Sequence, residues 1–278
     1  MIESELLPRI KGYCGGRWVG AESLDTLPVI NPADGELLAE IPDMGEADTT
    51  RAIDAAVAAQ DEFSSIETRR QRLRQIEAML LDNKRELGRI LCLEHGKPRA
   101  EAIGEIEYSA GFFADAARHV DRLQSHTLDE RPRGLEWTVH YRPAGTVALI
   151  SPWNFPLGLV AKKLSAALAA DCSCVIKPSA KTPLSMIAFC TLAEHELELP
   201  PGKINLVLGQ AGPIGKCLMS DERVMTVSFT GSTGVGRQLI EQSAPTVKKL
   251  CLELGGNAPF IVFDDGDIEP AVDNLIAN

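Results

Sequence analysis

The sequence has no C-x-x-C pair, no surplus of positive charge, and no apolar run near the ~18 residues a membrane span needs. Each absence closes off a class. Its 278 residues carry 28 Lys and Arg against 39 Asp and Glu, a formal net charge of −11. That argues against a nucleic-acid or anionic-membrane surface as the main partner, while leaving room for a local basic site for a phosphate. The opening MIESELLPRI lacks both the basic start and the apolar core of a signal peptide. Seven cysteines, at 14, 92, 172, 174, 190, 217 and 251, are odd in number, and only Cys172 and Cys174 stand close together. Neither a disulfide framework nor a metal site is expected, and reduced thiols in a cytoplasmic protein fit better. Internal repeats and low-complexity stretches are also missing.

What is present reads as helices first and an α/β alternation afterwards. Residues 1–45 are short strands and turns, with strong turn chemistry in Asn31-Pro32-Ala33-Asp34-Gly35. A helix is predicted over Glu46 to Phe63, its stripe made of Ala52, Ile53, Ala56, Val57 and Phe63. Helical periodicity continues from Thr68 to Glu94 with a break near Asp82-Asn83, stops at Gly96-Lys97-Pro98, and resumes from about Ala100 to Leu123. The basic run Arg69, Arg70, Arg72, Arg74 reads as a solvated helix face. Residues 127–143 change character: a polar turn precedes the alternation Glu136 to Tyr141, which predicts a hairpin. It is either a projecting arm that pairs with another subunit or an ordinary edge strand.

From Ala144 short apolar strands alternate with helices. Strands are predicted at Thr146–Ile150, Cys174–Ile176, Ile204–Val207, Val224–Phe229, Lys249–Leu252 and Pro259–Phe263. Helices are predicted at Leu157–Ala170, Pro183–Glu196, Ile214–Ser220 and Val235–Gln242, with a last one from Asp267. Such a pattern implies an α/β fold, a parallel sheet with helices on both faces. Ligands of such sheets sit at the carboxyl ends of the strands.

Four strand ends carry residues suited to a ligand, each with a plainer reading beside it. Ser151-Pro152-Trp153-Asn154-Phe155-Pro156 is a rigid turn that presents an amide and an indole, or a structural turn with its Trp in the core. Lys177-Pro178-Ser179-Ala180 puts a cation and a hydroxyl where a phosphate or ribose would lie, or holds a surface lysine that snorkels. Thr230-Gly231-Ser232-Thr233-Gly234 joins a strand to a helix, an arrangement that aims N–H groups at a phosphate. Its spacing is neither the dinucleotide fingerprint nor a P-loop, so a tight turn is the alternative. Glu253-Leu254-Gly255-Gly256 ends an apolar run with a carboxylate. It is a general base with a raised pKa or a paired structural glutamate.

In this order, SPWNFPLGL (151–159), KPSAKTP (177–183), SFTGSTGVGRQL (228–239) and LELGGNAPFIVFDD (252–265) resemble the aldehyde dehydrogenase superfamily, as does NPADGELLAEIPDMGEADTTRAIDAA (31–56). The likeness is greatest to its succinate-semialdehyde dehydrogenase branch and extends over essentially the whole chain. The resemblance implies a Rossmann-like dinucleotide-binding domain made of 1–126 and 144–252. It makes 127–143 part of a small β oligomerisation arm, giving a homo-oligomer, and 253–278 the start of a catalytic domain. It implies oxidation of a small-molecule aldehyde to its acid with NAD or NADP. Asn154 would hold the aldehyde oxygen as it becomes an oxyanion, and Glu253 would activate the water that hydrolyses the thioacyl intermediate. The Lys177-Pro178-Ser179-Ala180 segment would contact the adenosine ribose, with Trp153, Asn154, Gly231, Ser232 and Leu254 lining the cofactor. NAD-preferring members often carry a glutamate at the position of Ala180. Alanine there, with Lys177 and Ser179 free to accept a 2′-phosphate, favours NADP.

The family's nucleophilic cysteine lies well beyond Glu253, and none of the seven cysteines matches its motif. Cys251 is closest to Glu253, but two residues apart on a strand places both side chains on one face, and it reads as a core thiol. The expectation is a cofactor-binding, N-terminal part that does not turn over aldehyde alone. The alternative is a non-catalytic module that binds nucleotide or pairs with another subunit.

Overall fold

A computed structural model of the chain describes residues 1–60 and 63–277. Two N-terminal ribbons open it. Strands β1 (Gly12–Cys14) and β2 (Arg17–Val19) pair antiparallel, as do β3 (Thr26–Ile30) and β4 (Leu37–Pro42). The turn between β3 and β4 closes on Asn31, whose Nδ2 donates to Asp34 Oδ2 at 2.8 Å and whose Oδ1 accepts from Ala33 N at 3.0 Å.

Helix α1 (Glu46–Ala58) begins where Asp48 accepts from Gly45 N at 2.9 Å, a carboxylate placed against the positive end of the helix. It ends earlier than predicted. Phe63 lies outside it and is 60 % exposed, while Asp61 and Glu62 of the predicted span lie outside the described residues. Helix α2 (Ile66–Asp82) is capped by Ser65 Oγ, which accepts from Thr68 N at 3.0 Å. Asn83 separates it from α3 (Lys84–His95), at the predicted break. Gly96 ends α3 with φ of 85°, a left-handed cap that a side chain would strain and would drive into Pro32. Helix α4 (Arg99–His119) follows, and a short 3-10 turn completes the span to Leu123.

The basic run on α2 is not wholly a solvated face. Arg69 turns inward, donating from Nε to Ser64 O at 2.9 Å and lying 3.8 Å from Asp171. Arg72 donates to Ser64 Oγ at 2.6 Å. Only a buried acceptor decides which arginine of such a run leaves the solvent, and Asp171 is a hundred positions away in the chain.

Two short strands, β5 (His126–Thr127) and β6 (Thr138–Val139), form a separate antiparallel ribbon that starts one residue before the predicted 127–143. Leu128 N donates to Trp137 O at 2.9 Å and extends the pairing by one step.

The main sheet uses β7 (Thr146–Ile150), β8 (Ser173–Lys177), β9 (Ile204–Leu206), β10 (Val224–Gly231) and β11 (Lys249–Leu254), all parallel. The order is β11-β10-β7-β8-β9-β1-β2, with β1 antiparallel to β9. Connecting helices are α5 (Gly158–Ala169), α6 (Leu184–Glu196), α7 (Ala211–Ser220) and α8 (Thr233–Ser243). Helices α5 and α6 pack with α2, α3 and α4 in one layer, and α1, α7 and α8 make the other. Central strands covered on both faces need apolar residues at every position, which is why CVI in β8 and VAL in β7 are wholly buried. At the sheet edge, β11 is mostly exposed.

One predicted strand is absent. Pro259–Phe263 has no regular structure and pairs with no strand among the described residues, leaving Phe260, Ile261 and Phe263 exposed. An apolar run becomes a strand only beside a partner backbone, and among the described residues this segment has none. Helix α9 (Ile268–Ala277) closes the described chain. Among the described residues no helix is long and apolar enough to cross a membrane.

Candidate functional site

The chain passes from β7 outward to β8 and β9, then returns to β7's other flank for β10 and β11. Loops leaving β7 and β10 therefore part in opposite directions, and a crevice opens at their carboxyl ends. Register places the four predicted segments there. Ile150 lies opposite both Lys177 and Phe229, and Gly231 lies opposite Leu254. The turn 151–156, the segment 177–180, the glycine turn and the Glu253-Leu254 pair thus leave one edge of one sheet.

Within the first turn Trp153 and Asn154 are both exposed, so Trp153 is not a core residue. The indole ring lies 5.8 Å from the His95 ring, and Trp153 O accepts from Thr182 Oγ1 at 3.4 Å. At the second segment Lys177 is 4 % exposed and donates from Nζ to Pro178 O at 2.9 Å. It is therefore not a snorkelling surface lysine. Nor is its ammonium free in the way a ready phosphate grip requires. Burial pushes its pKa down to about 8, and Asp43 works weakly the other way. Ser179 Oγ accepts from Lys181 N at 3.2 Å, Ala180 brings no charge, and Lys181 is exposed.

Gly231 carries no side chain for a steric reason: a Cβ there would sit 2.4 Å from the Phe229 ring. Ser232 caps α8, its Oγ accepting from Val235 N at 3.3 Å. The first-turn N–H groups of α8 point toward the crevice edge, where an anion is favoured.

Glu253 does not sit in an apolar setting. Its side chain is 62 % exposed and pairs with Lys162 Nζ at 3.2 Å. Cys251 is exposed as well, not a core thiol. Both line a cavity of about 540 Å³ between α5 and the sheet, together with Lys162, Lys163, Thr226 and Ser228. Lys163 donates to Thr230 Oγ1 at 2.6 Å, and burial, aided by Lys162, lowers its pKa. Nothing in the spacing of the sequence tied Lys162 and Lys163 to position 253, because both sit inside a helix recognised by its apolar period.

Two buried glutamates behind the turns also escaped sequence reasoning. Glu94 accepts from Leu184 N at 2.6 Å and Ser185 N at 3.0 Å, anchoring α6 just after the 177–183 segment. Glu105 accepts from Leu157 N and Gly158 N, each at 3.0 Å, at the start of α5.

The family model described as "Aldehyde dehydrogenase family" matches residues 18–278. The chain is 42 % identical to glutarate-semialdehyde dehydrogenase of Pseudomonas putida, a match covering 99 % of this chain and 58 % of that protein. It is 41 % identical to the succinate-semialdehyde dehydrogenase [NADP(+)] of Escherichia coli, over 97 % of this chain and 56 % of that one. A solved succinate-semialdehyde dehydrogenase from Burkholderia pseudomallei superposes with a TM-score of 0.94 at 45 % identity, covering 100 % of this chain and 57 % of that one. The chain thus spans a little over half the length of these relatives. With the motifs in order along the chain and the same fold carrying them, the chain belongs to the aldehyde dehydrogenase family.

Proposed function

We propose that this chain is the cofactor-binding part of an NAD(P)-dependent semialdehyde dehydrogenase, and that it prefers NADP. The observation that carries this is the convergence of four chemically suited segments on the crevice where the strand order reverses. A dinucleotide fits what is there. Helix α8 offers its N-terminus to the phosphates, and segment 177–182 carries the exposed Lys181 with no acidic residue. A 2′-phosphate meets no carboxylate at Ala180. When bound, a nicotinamide would supply the hydride acceptor for oxidation at the aldehyde carbon, a step that also needs a thiol nucleophile. Asn154 would donate its amide to the carbonyl oxygen as negative charge develops. Glu253, steadied by Lys162, would take a proton from the hydrolytic water.

The thiol nucleophile does not come from the chain's own interior cysteines. Burial raises the pKa values of Cys172, Cys174, Cys190 and Cys217, and that of Cys14 reaches about 12, so none is a ready thiolate. Cys251 shares a strand face with Glu253 rather than lying across a substrate from it. We therefore expect the chain to bind cofactor without turning over aldehyde. Hairpin 127–143 is assigned to contact with another subunit, since its short strands expose unpaired edges. A cytoplasmic setting is part of this proposal, resting on the odd and scattered set of cysteines in the sequence.

Thermal unfolding of the purified chain with NADP, with NAD and with neither tests the assignment. A ligand at a hundredfold excess over Kd stabilises the folded state by about 2.7 kcal/mol. The upward shift should be larger with NADP. A larger shift with NAD refutes the argument from Ala180. No shift with either refutes the cofactor site and moves the subunit-interaction module ahead.

A further inference from the structure

We propose that Lys97 and Glu105 are positioning residues for the turn that carries Trp153 and Asn154. This rests on the role given above to Asn154. Neither residue belongs to the four segments that leave the sheet edge.

Gly96 ends α3, Lys97 follows it, and Glu105 lies about two turns into α4. Their side chains meet at 2.6 Å, with Lys97 9 % and Glu105 1 % exposed. Each partner then grips a different part of one turn. Lys97 Nζ also donates to Asn154 O at 3.2 Å and stands 4.2 Å from the centre of the Phe155 ring. Glu105 uses its other oxygen to accept from Leu157 N and Gly158 N. One ion pair therefore fixes residues 154, 155, 157 and 158 together.

A buried ion pair tends to cost more in desolvation than it returns unless its remaining hydrogen-bonding capacity is used. Here it is used, and on the backbone of the 154–158 turn. The carboxylate also meets the positive end of α5, where an anion is favoured. Among the described residues the exposed Asn154 amide has no hydrogen-bond partner, while its own carbonyl is clamped. A donor aimed at developing charge needs that arrangement, because a misplacement of ~1 Å can cost a hundredfold in rate. Thr182 Oγ1 also donates to the neighbouring Trp153 carbonyl at 3.4 Å.

The test compares wild type with Lys97→Met, Lys97→Arg and Glu105→Gln in the full chain. Three quantities are read: amide hydrogen exchange by residue, global stability in denaturant, and NADP affinity by calorimetry. Lys97→Met should speed exchange at Asn154, Phe155, Leu157 and Gly158 at least tenfold beyond any change in the α5 interior and weaken NADP binding several-fold. Lys97→Arg should restore most of both. Glu105→Gln keeps an acceptor for the two N–H groups without the charge, and carries the same expectation should Lys97→Met not fold. Exchange that rises uniformly through α4 and α5 refutes the positioning role and leaves a merely structural pair. A wild type that binds NADP, with variants unchanged in exchange and affinity, refutes the clamp alone. A wild type that binds neither cofactor refutes the functional reading itself, and the exchange data then still decide whether the turn is clamped.

Discussion

The interior ion pair between Asp171 and Lys203 offers the sharpest test of how this fold is held together. Asp171 sits between α5 and β8 in a left-handed conformation with φ of 60°. Its Oδ1 accepts from Lys203 Nζ at 2.7 Å, its Oδ2 accepts from Ser64 N at 2.6 Å, and its carbonyl accepts from both Lys203 Nζ and Gln60 Nε2. The two side chains are 1 % and 2 % exposed. The link from α1 to α2 is thereby tied to the sheet. Replacing Lys203 by Met removes the cation and leaves the carboxylate buried, with Arg69 Nε 3.8 Å away as the remaining charge. Breaking a buried pair in this way costs about 3–5 kcal/mol, against a total stability on the order of 5–15 kcal/mol. With a urea slope of about 2 kcal/mol per molar, the unfolding midpoint should fall by roughly 2 M. Asp171→Asn should cost less, because asparagine keeps an acceptor for Ser64 N and tolerates the left-handed backbone. The double variant should cost clearly less than the two single costs together, since each change relieves the charge the other strands. A midpoint shift for Lys203→Met worth under ~1 kcal/mol, or single costs that simply add, refutes the argument.

Two further outcomes follow from single residues. Burial pushes the Glu94 carboxyl up to about 7, against opposing donation from Ser185 and Leu184. A carboxyl with a folded pKa above its unfolded value holds its proton preferentially when folded, so its contribution is complete below about pH 4.5 and is lost as pH rises through about 7. Glu94→Gln should therefore gain stability relative to wild type across that window, by on the order of 3 kcal/mol, as read by denaturant unfolding at a series of pH values; parallel pH profiles for the two proteins would refute it. Cys251 is exposed while Cys172, Cys174, Cys190 and Cys217 are buried. An aromatic disulfide reagent should accordingly label Cys251 rapidly in the native chain, and Cys251→Ser should abolish that phase. Persistence of the fast phase in Cys251→Ser would refute its assignment to that thiol.

Most elements of this fold were legible in the chain because each leaves a local period. Strand β7 occupies its predicted span residue for residue, and the α2–α3 break falls at Asn83 as its cap chemistry indicates. The segments that gather at the crevice were legible for a related reason: a parallel strand must end in a turn, and turn chemistry is written in consecutive residues. Where reading failed, the deciding partner was distant. Phe63 falls on the α1 period, yet the helix stops at Ala58. Arg69 falls on a polar face, yet Asp171 draws it inward. Pro259–Phe263 has strand composition and no strand to pair with.

The electrostatics of the site belong wholly to this second kind. Lys97 reaches Asn154, Lys162 reaches Glu253, and Glu94 reaches Leu184 across 57, 91 and 90 positions. No window of the sequence contains both members of any of these pairs. Local patterning therefore places the backbone of a crevice, whereas contacts between elements decide which of its charged groups are engaged. Lys177 shows the consequence most directly. Its place at the end of a buried strand made it a candidate phosphate grip, and the depth of that same strand is what turns its ammonium onto Pro178 O. A cation at a strand end is thus a statement about position, and its availability depends on how far the sheet beneath it is covered.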